Sequence, residues 1–390
     1  MSVLSGDLAD DVEWRMLKRL CVMTISRSPE GWIEEWLSPL ASGQADSMTL
    51  VNMAVRQKLA GTLATVIDST KSKDVFDPMV REFLRTNLNA NRVRNRVLTS
   101  EALRIAGRMQ EQGFPALATK GAVLQYLVYN GDGSRRLSDI DFMIHPDRRR
   151  EAASVLGDLG FEFGTYDRSN HRINPIRRED ELLYRMYPDH LPHALKLRHD
   201  PLVSYVLVDF AFSLTWFQAP WQIDMDRALD NPISVHPEED FPCAQPFSGP
   251  IRSLSVPFLW LFTVLHLFRE TWIERDALQG GSTLAQYRDI IQLWNIMSPE
   301  TKSEARLIIA DNRTVFPVRW ICEHADRIFG TSICDELGIG DPLPEHLLET
   351  GLGPSGTVLT WPGTLEQRLF SGRAPKFVPS GEIRLEDLAW

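Results

Sequence analysis

Cysteine is scarce in this chain and scattered where it occurs. Cys21, Cys243, Cys322 and Cys334 form no pair at metal-ligand spacing, which argues against a disulfide framework and signals no zinc site. Long apolar runs are lacking as well. The most apolar stretch, residues 256–268, reaches about two-thirds of the ~20 residues that a membrane helix needs. It contains Thr263 and His266 and ends at Arg269-Glu270, so it reads as a buried core helix. Residues 1–7 show no basic segment leading into an apolar run, so neither a secretory signal nor a membrane partner is expected. A cytoplasmic protein with reduced cysteines is the plain expectation. Basic excess is also missing: 42 Lys and Arg stand against 52 Asp and Glu, a net charge of −10. Proteins that grip nucleic acid through its phosphates usually display a basic face. The balance favours a small-molecule or peptide acceptor over RNA or DNA, although Arg148-Arg149-Arg150 and Arg177-Arg178 are local basic clusters.

What is present is enough chain to bury a core: 390 residues, 43% hydrophobic, or two to three structural units at roughly 150 residues each. Across residues 51–112 apolar residues recur at three- and four-residue steps (Leu59, Leu63, Val66; Phe83, Leu84, Leu88; Leu98, Leu103), a helical rhythm. At Gly113 the rhythm changes. Residues 114–119 read as a strand, Lys120-Gly121 as a turn, 122–129 as a helix and 137–144 as an alternating strand. Asp147 is placed to cap a helix over 148–159, and 161–163 begin the next strand. Residues 164–201 are polar and give no clear pattern, while 205–213 alternate as a strand. Helices are expected over 254–272 and 284–297, and a Gly- and Pro-containing tail follows. The expected class is α+β, a mixed sheet between N- and C-terminal helical regions. The expected divisions are an N-terminal helical region (1–97), a catalytic core (98–215), a C-terminal helical region (216–345) and a tail (346–390).

The chemistry concentrates in Arg135-Arg136-Leu137-Ser138-Asp139-Ile140-Asp141-Phe142. A strand's period of two puts Ile140, Phe142 and Ile144 on a core face and Asp139 and Asp141 side by side on the other. Two carboxylates projecting together are costly unless solvated or shared with a cation. Mg²⁺, held by a few carboxylates and by substrate phosphates, is a common partner in phosphoryl and nucleotidyl transfer. Asp-x-Asp alone is weak, since Asp224-Met225-Asp226 has the same form and reads as a solvated loop or helix start. Context separates the two. Gly121 closes a turn upstream of the first pair, a strand lies under it, and Asp209 sits on the polar side of the strand at 205–213 as a candidate third carboxylate.

With Lys120-Gly121-Ala122, the Arg135-to-Ile144 run and Val208-Asp209-Phe210 in view, the chain resembles the uncharacterised nucleotidyltransferase family of the DNA polymerase beta-type superfamily. His266 and the Arg288-Asp289-Ile290 step also fit that family. The resemblance implies a nucleotidyltransferase-type fold in which Asp139, Asp141 and Asp209 bind Mg²⁺, or Mn²⁺ in its place, with Asp209 as general base. It implies that Gly121 opens a helix toward a triphosphate and that Lys120, Arg135 and Ser138 help bind the NTP, ATP being the expected one. Where the superfamily has Gly-Ser or Gly-Gly, this chain has Lys120-Gly121, one glycine and no hydroxyl. A tRNA-modifying enzyme and a non-catalytic nucleotide-binding protein are the alternatives. Asp189, His190, His193 and His199 lack a zinc ligand set and read as loop or acceptor-pocket residues near Asp209. His266 reads as a core histidine, Arg288 and Asp289 as a structural pair or cap, and most of the 11 Trp as core.

Overall fold

A computed structural model describes residues 8–24, 28–70, 73–186, 190–217, 219–237, 249–279, 281–381 and 383–384. Pro188, Asp189 and Cys243 lie outside the described residues. The architecture is mixed α+β, and the chain divides into two compact units: Asn89–Phe262, and Met1–Leu88 together with Thr263–Trp390. Among the described residues no helix is long and apolar enough to cross a membrane.

The unit Asn89–Phe262 is built on an eight-stranded sheet. Its strands are β1 (Leu117–Thr119), β2 (Ile140–Met143), β3 (Glu162–Asp167), β4 (Arg172–Pro175), β5 (Ala194–Leu197), β6 (Tyr205–Ala211), β7 (Ile233–Val235) and β8 (Ile251–Ser253), in the spatial order β4-β3-β5-β6-β2-β1-β8-β7. The sheet is mixed: β2 runs antiparallel to β1 and parallel to β6, and β5 runs antiparallel to β6. Phe142 and Phe210, paired across β2 and β6, stack with ring centroids 5.4 Å apart and are almost fully buried. β2 lies near the middle of the sheet and is buried along its whole length. Asp141 is therefore a buried carboxylate rather than one on a wet face.

Several elements differ from the sequence reading. The strand expected over 114–119 forms only at Leu117–Thr119, and that over 137–144 only at Ile140–Met143, with Asp139 in a bend ahead of it. Asp147 caps no helix. His145 Nδ1 instead accepts the Asp147 N–H at 3.3 Å, ahead of a 3-10 turn at Pro146–Arg148, and the α-helix begins at Arg149. The unpatterned stretch 164–201 holds the β3–β4 hairpin, the helix Arg178–Met186 and β5.

The other unit is mainly helical. Helix Val12–Val22 packs against Leu284–Ile296 and Val315–Phe329, and the three helices carry the buried Trp14, Trp294 and Trp320 respectively. The C-terminal stretch is packed rather than loose. β9 (Thr350–Leu352), β10 (Val358–Thr360) and β11 (Val378–Pro379) form a small sheet. Glu366 accepts from Trp14 Nε1 at 2.8 Å and from Lys18 Nζ at 2.7 Å. His266 Nε2 lies 3.2 Å from Glu270 Oε1, and Arg288 donates to the Leu20 carbonyl near the end of helix Val12–Val22.

Candidate active site

Register builds the site. Thr119 on β1 lies opposite Asp141 on β2, and Asp141 lies opposite Asp209 on β6. Paired residues of adjacent strands project to the same face, so these three side chains form a row across the sheet. Asp139 stands two residues before Asp141, half-buried in its bend, with its Oδ1 accepting from Ser138 Oγ at 2.8 Å.

Lys120 closes the row. Its Nζ donates to Asp141 Oδ1 at 2.7 Å, and the two side chains are only 19% and 9% exposed. The lysine backbone sits at φ 47°, ψ −131°, a conformation that a residue with a Cβ adopts at a cost. It immediately precedes the helix Gly121–Leu127, which is buried against β1 and β2. A Cβ on Gly121 would come within 3.1 Å of Leu137 Cδ2, so the absent side chain is what lets the turn and the Arg135–Asp139 segment meet closely.

The two paired carboxylates are driven apart electrostatically. Burial pushes the Asp141 carboxyl up to about 7; the Lys120 charge opposes this, while Asp139 and Asp209 add to it. Burial also works to raise Asp209. There the hydrogen bond and charge of His190, with Lys120 and His193, win and hold it well below the usual carboxylate range. His190 Nδ1 lies 3.6 Å from Asp209 Oδ2. The His190 backbone is fixed by a bridge to Ala211 and by Arg149, whose Nη2 donates to the His190 carbonyl at 2.8 Å. His193 stands one residue ahead of β5. His199 lies elsewhere, its ring 5.7 Å from that of His171.

Two buried oxygens in the row, Asp209 Oδ1 and Thr119 Oγ1, have no hydrogen-bond partner among the described residues. Such groups are rare and call for an explanation, a missing ion being one. An orphaned, ionised carboxylate oxygen beside a second carboxylate is the donor chemistry of a hard divalent cation, so these residues fit one. They are not gathered into a finished cage, however. Among the described residues no group of three or more His, Cys, Asp or Glu is placed to hold a metal ion, and Asp141 is engaged by Lys120.

The remaining sequence-derived candidates are close in the chain but differently occupied. Arg135 Nη1 donates to the Arg136 carbonyl at 2.8 Å, and Ser138 is tied to Asp139. Asp224 caps the short helix Met225–Leu229, accepting the Asp226 N–H at 3.0 Å. Asp226 lines a cavity of about 940 Å³ together with His145, Asp147 and Arg148, and none of Asp139, Asp141 or Asp209 lines it.

One supporting set was missed from sequence. Asn91, Arg92 and Asn95, on the helix Pro78–Glu111, hold the loop that leads into Asp139. Asn91 donates to the Gly133 carbonyl at 3.2 Å and Arg92 to the Asp132 carbonyl at 2.9 Å. Asn95 donates to the Arg135 carbonyl at 2.8 Å and accepts the Leu137 N–H at 2.9 Å. The available signal was polar Asn91, Asn95 and Thr99 at four-residue steps, all buried on one helix face.

No curated protein and no solved structure matches the chain. The family described as Uncharacterised nucleotidyltransferase matches residues 43–311, more than half of its length, and the chain belongs to that family.

Proposed function

We propose that this member of the Uncharacterised nucleotidyltransferase family transfers AMP from ATP to a hydroxyl of a small-molecule or peptide acceptor, within the DNA polymerase beta-type superfamily. The observation that carries this reading is the in-register pair Asp141 and Asp209 on parallel β2 and β6, with Asp139 just ahead of it. Asp139, Asp141 and Asp209 would hold Mg²⁺, or Mn²⁺ in its place; such ions stabilise the attacking and departing oxygens of an in-line displacement. Asp209 is held ionised, and its buried Oδ1 has no partner among the described residues; as general base it would take the acceptor's hydroxyl proton. The acceptor oxygen then bonds to the α-phosphorus, the bond from that phosphorus to the bridging oxygen breaks, and pyrophosphate leaves. Lys120 and Arg135 bring positive charge to the polyphosphate, and Ser138 and Gly121 shape the segment and turn beside it. The acidic chain supports an acceptor other than RNA or DNA.

The test is Mg²⁺-dependent ATP binding and pyrophosphate release, measured across acceptor classes that include tRNA. Asp141→Asn and Asp209→Asn are each expected to lower turnover by at least about a hundredfold, the scale of losing a preorganised electrostatic contact. Pyrophosphate release with tRNA alone would move the acceptor to nucleic acid. Tight ATP binding with no release would identify a non-catalytic nucleotide-binding protein. ATP binding that neither substitution disturbs would remove the site from these residues.

A further inference from the structure

We propose that Lys120 is an exchangeable internal counter-ion, holding Asp141 in the resting protein and yielding it when a divalent cation and a polyphosphate arrive. The inference rests on the metal-site reading above and adds a regulation of that site. Three observations carry it. The ammonium sits 2.7 Å from Oδ1 of the middle carboxylate of the row, the carboxylate that a cation shared with its register partner Asp209 would need. The oxygens on either side, Thr119 Oγ1 and Asp209 Oδ1, are buried without partners, so the ammonium satisfies one member of the row and leaves its neighbours unserved. A ligand that also served those neighbours would satisfy more of the row. Finally, Lys120 is held in a backbone conformation that favours glycine. Local strain of this kind persists where the surroundings enforce it, and it is concentrated at switching and binding positions.

The lysine is suited to exchange. Its flexible four-carbon stem carries a compact charge that can swing to a new partner without moving the backbone. An ammonium and a divalent cation compete for Asp141, whereas an ammonium and a polyphosphate attract. Removing the lysine therefore has opposite consequences for the two ligands: the cation binds better and the polyphosphate worse. Loss of one positive charge gives this inversion for a static pair as well, so exchange is read from the lysine amine itself, which a static pair leaves covered when the cation binds.

Mn²⁺ alone, followed by the electron paramagnetic resonance of the unbound ion, is the first probe. Lys120→Met is expected to bind Mn²⁺ more tightly than the native chain by about 5–150-fold, the usual range of coupling between sites, and to bind metal-free ATP more weakly. A second measurement uses the native chain and survives any folding defect of the variant. The acylation rate of the Lys120 amine, read by mass spectrometry, should rise several-fold with Mg²⁺ alone and fall again on adding ATP. Unchanged or weaker Mn²⁺ binding by folded Lys120→Met, or acylation that Mg²⁺ leaves unmoved, overturns the exchange. Asp141→Asn and Asp209→Asn separate the two levels. If both lose Mn²⁺ while Lys120→Met gains none, only the counter-ion role fails. If both bind Mn²⁺ as the native chain does, the carboxylate metal site fails and the counter-ion role falls with it.

Discussion

Asp141 and Asp209 occupy the same register position on adjacent strands, and their neighbours set their roles. Asp141 is stripped of water and answered by Lys120; Asp209 is answered by His190 and keeps one buried oxygen unpartnered among the described residues. Breaking a buried ion pair from one side leaves an uncompensated charge, whereas replacing both partners need not. Asp141→Asn should therefore destabilise the protein by about 3 kcal/mol, the low end for buried pairs because Lys120 keeps some solvent contact. Adding Lys120→Met should recover part of that loss. Urea unfolding of the two single variants and the double variant measures this as a coupling energy. Simple additivity would mean that the contact contributes nothing. Neither the pairing nor its partner could be read from sequence, where Lys120 is a turn lysine 21 positions away. That Asp141 and Asp209 lie on strands was legible from alternation and a family motif, whereas the bend that holds Asp139 ahead of its strand was not.

At the scale of elements, legibility followed how strongly each segment announces its period. β6, with Val206, Val208 and Phe210 buried on one face, and the helices Val256–Trp272 and Leu284–Ile296 were plain from their apolar rhythm. β5 was not. It is four residues, Ala-Leu-Lys-Leu, between a His- and Pro-rich approach and the polar turn that follows it, and it is a strand because β3 and β6 pair with it on either side. Asp147 failed as a cap because Pro146 starts a 3-10 turn one residue earlier and His145 takes the capping position. The loop ahead of Asp139 shows the same dependence on distant partners. Asn95 satisfies a carbonyl and an N–H on either side of Arg136, fixing the path by which Asp139 reaches the site. Asn95→Ala leaves both groups short of a partner, at an expected cost of about 2 kcal/mol. It should also weaken Mn²⁺ binding, since Asp139 loses its support. A melting curve and a Mn²⁺ titration of the same variant check both, and a stability loss with Mn²⁺ affinity intact would reduce Asn95 to a loop staple.

The molecule as a whole carries a second strongly perturbed buried group, outside the unit of the proposed site. The carboxylate row belongs to the unit Asn89–Phe262, whereas a strong acid-sensitive group, His324, belongs to the unit formed by Met1–Leu88 and Thr263–Trp390. His324 is buried on the helix Val315–Phe329, its Nε2 is 2.9 Å from the Leu348 carbonyl, and its ring packs 4.3 Å from that of Trp320. Burial lowers its pKa from 6.5 to about 3; the Leu348 carbonyl resists the shift, and the Arg327 and Arg368 charges add to it. In the unfolded chain the imidazole takes up its proton near pH 6.5, while the folded chain refuses it until about pH 3. The depressed folded value therefore leaves stability intact above pH 6.5 and removes it progressively as the pH falls toward 3. At pH 4.5, two units below the unfolded value, the loss is about 2.7 kcal/mol. Between pH 6.5 and 5 Asp141 also titrates, with the opposite sign, but it does so in both proteins, so the difference between the native and variant profiles reports the histidine. His324→Gln keeps an amide N–H for the Leu348 carbonyl and removes the titration. Its chemical-denaturation stability should rise relative to that of the native chain by about 2 kcal/mol from pH 6.5 to 5. Parallel pH profiles for the two proteins would show that the buried imidazole does not control the acid response.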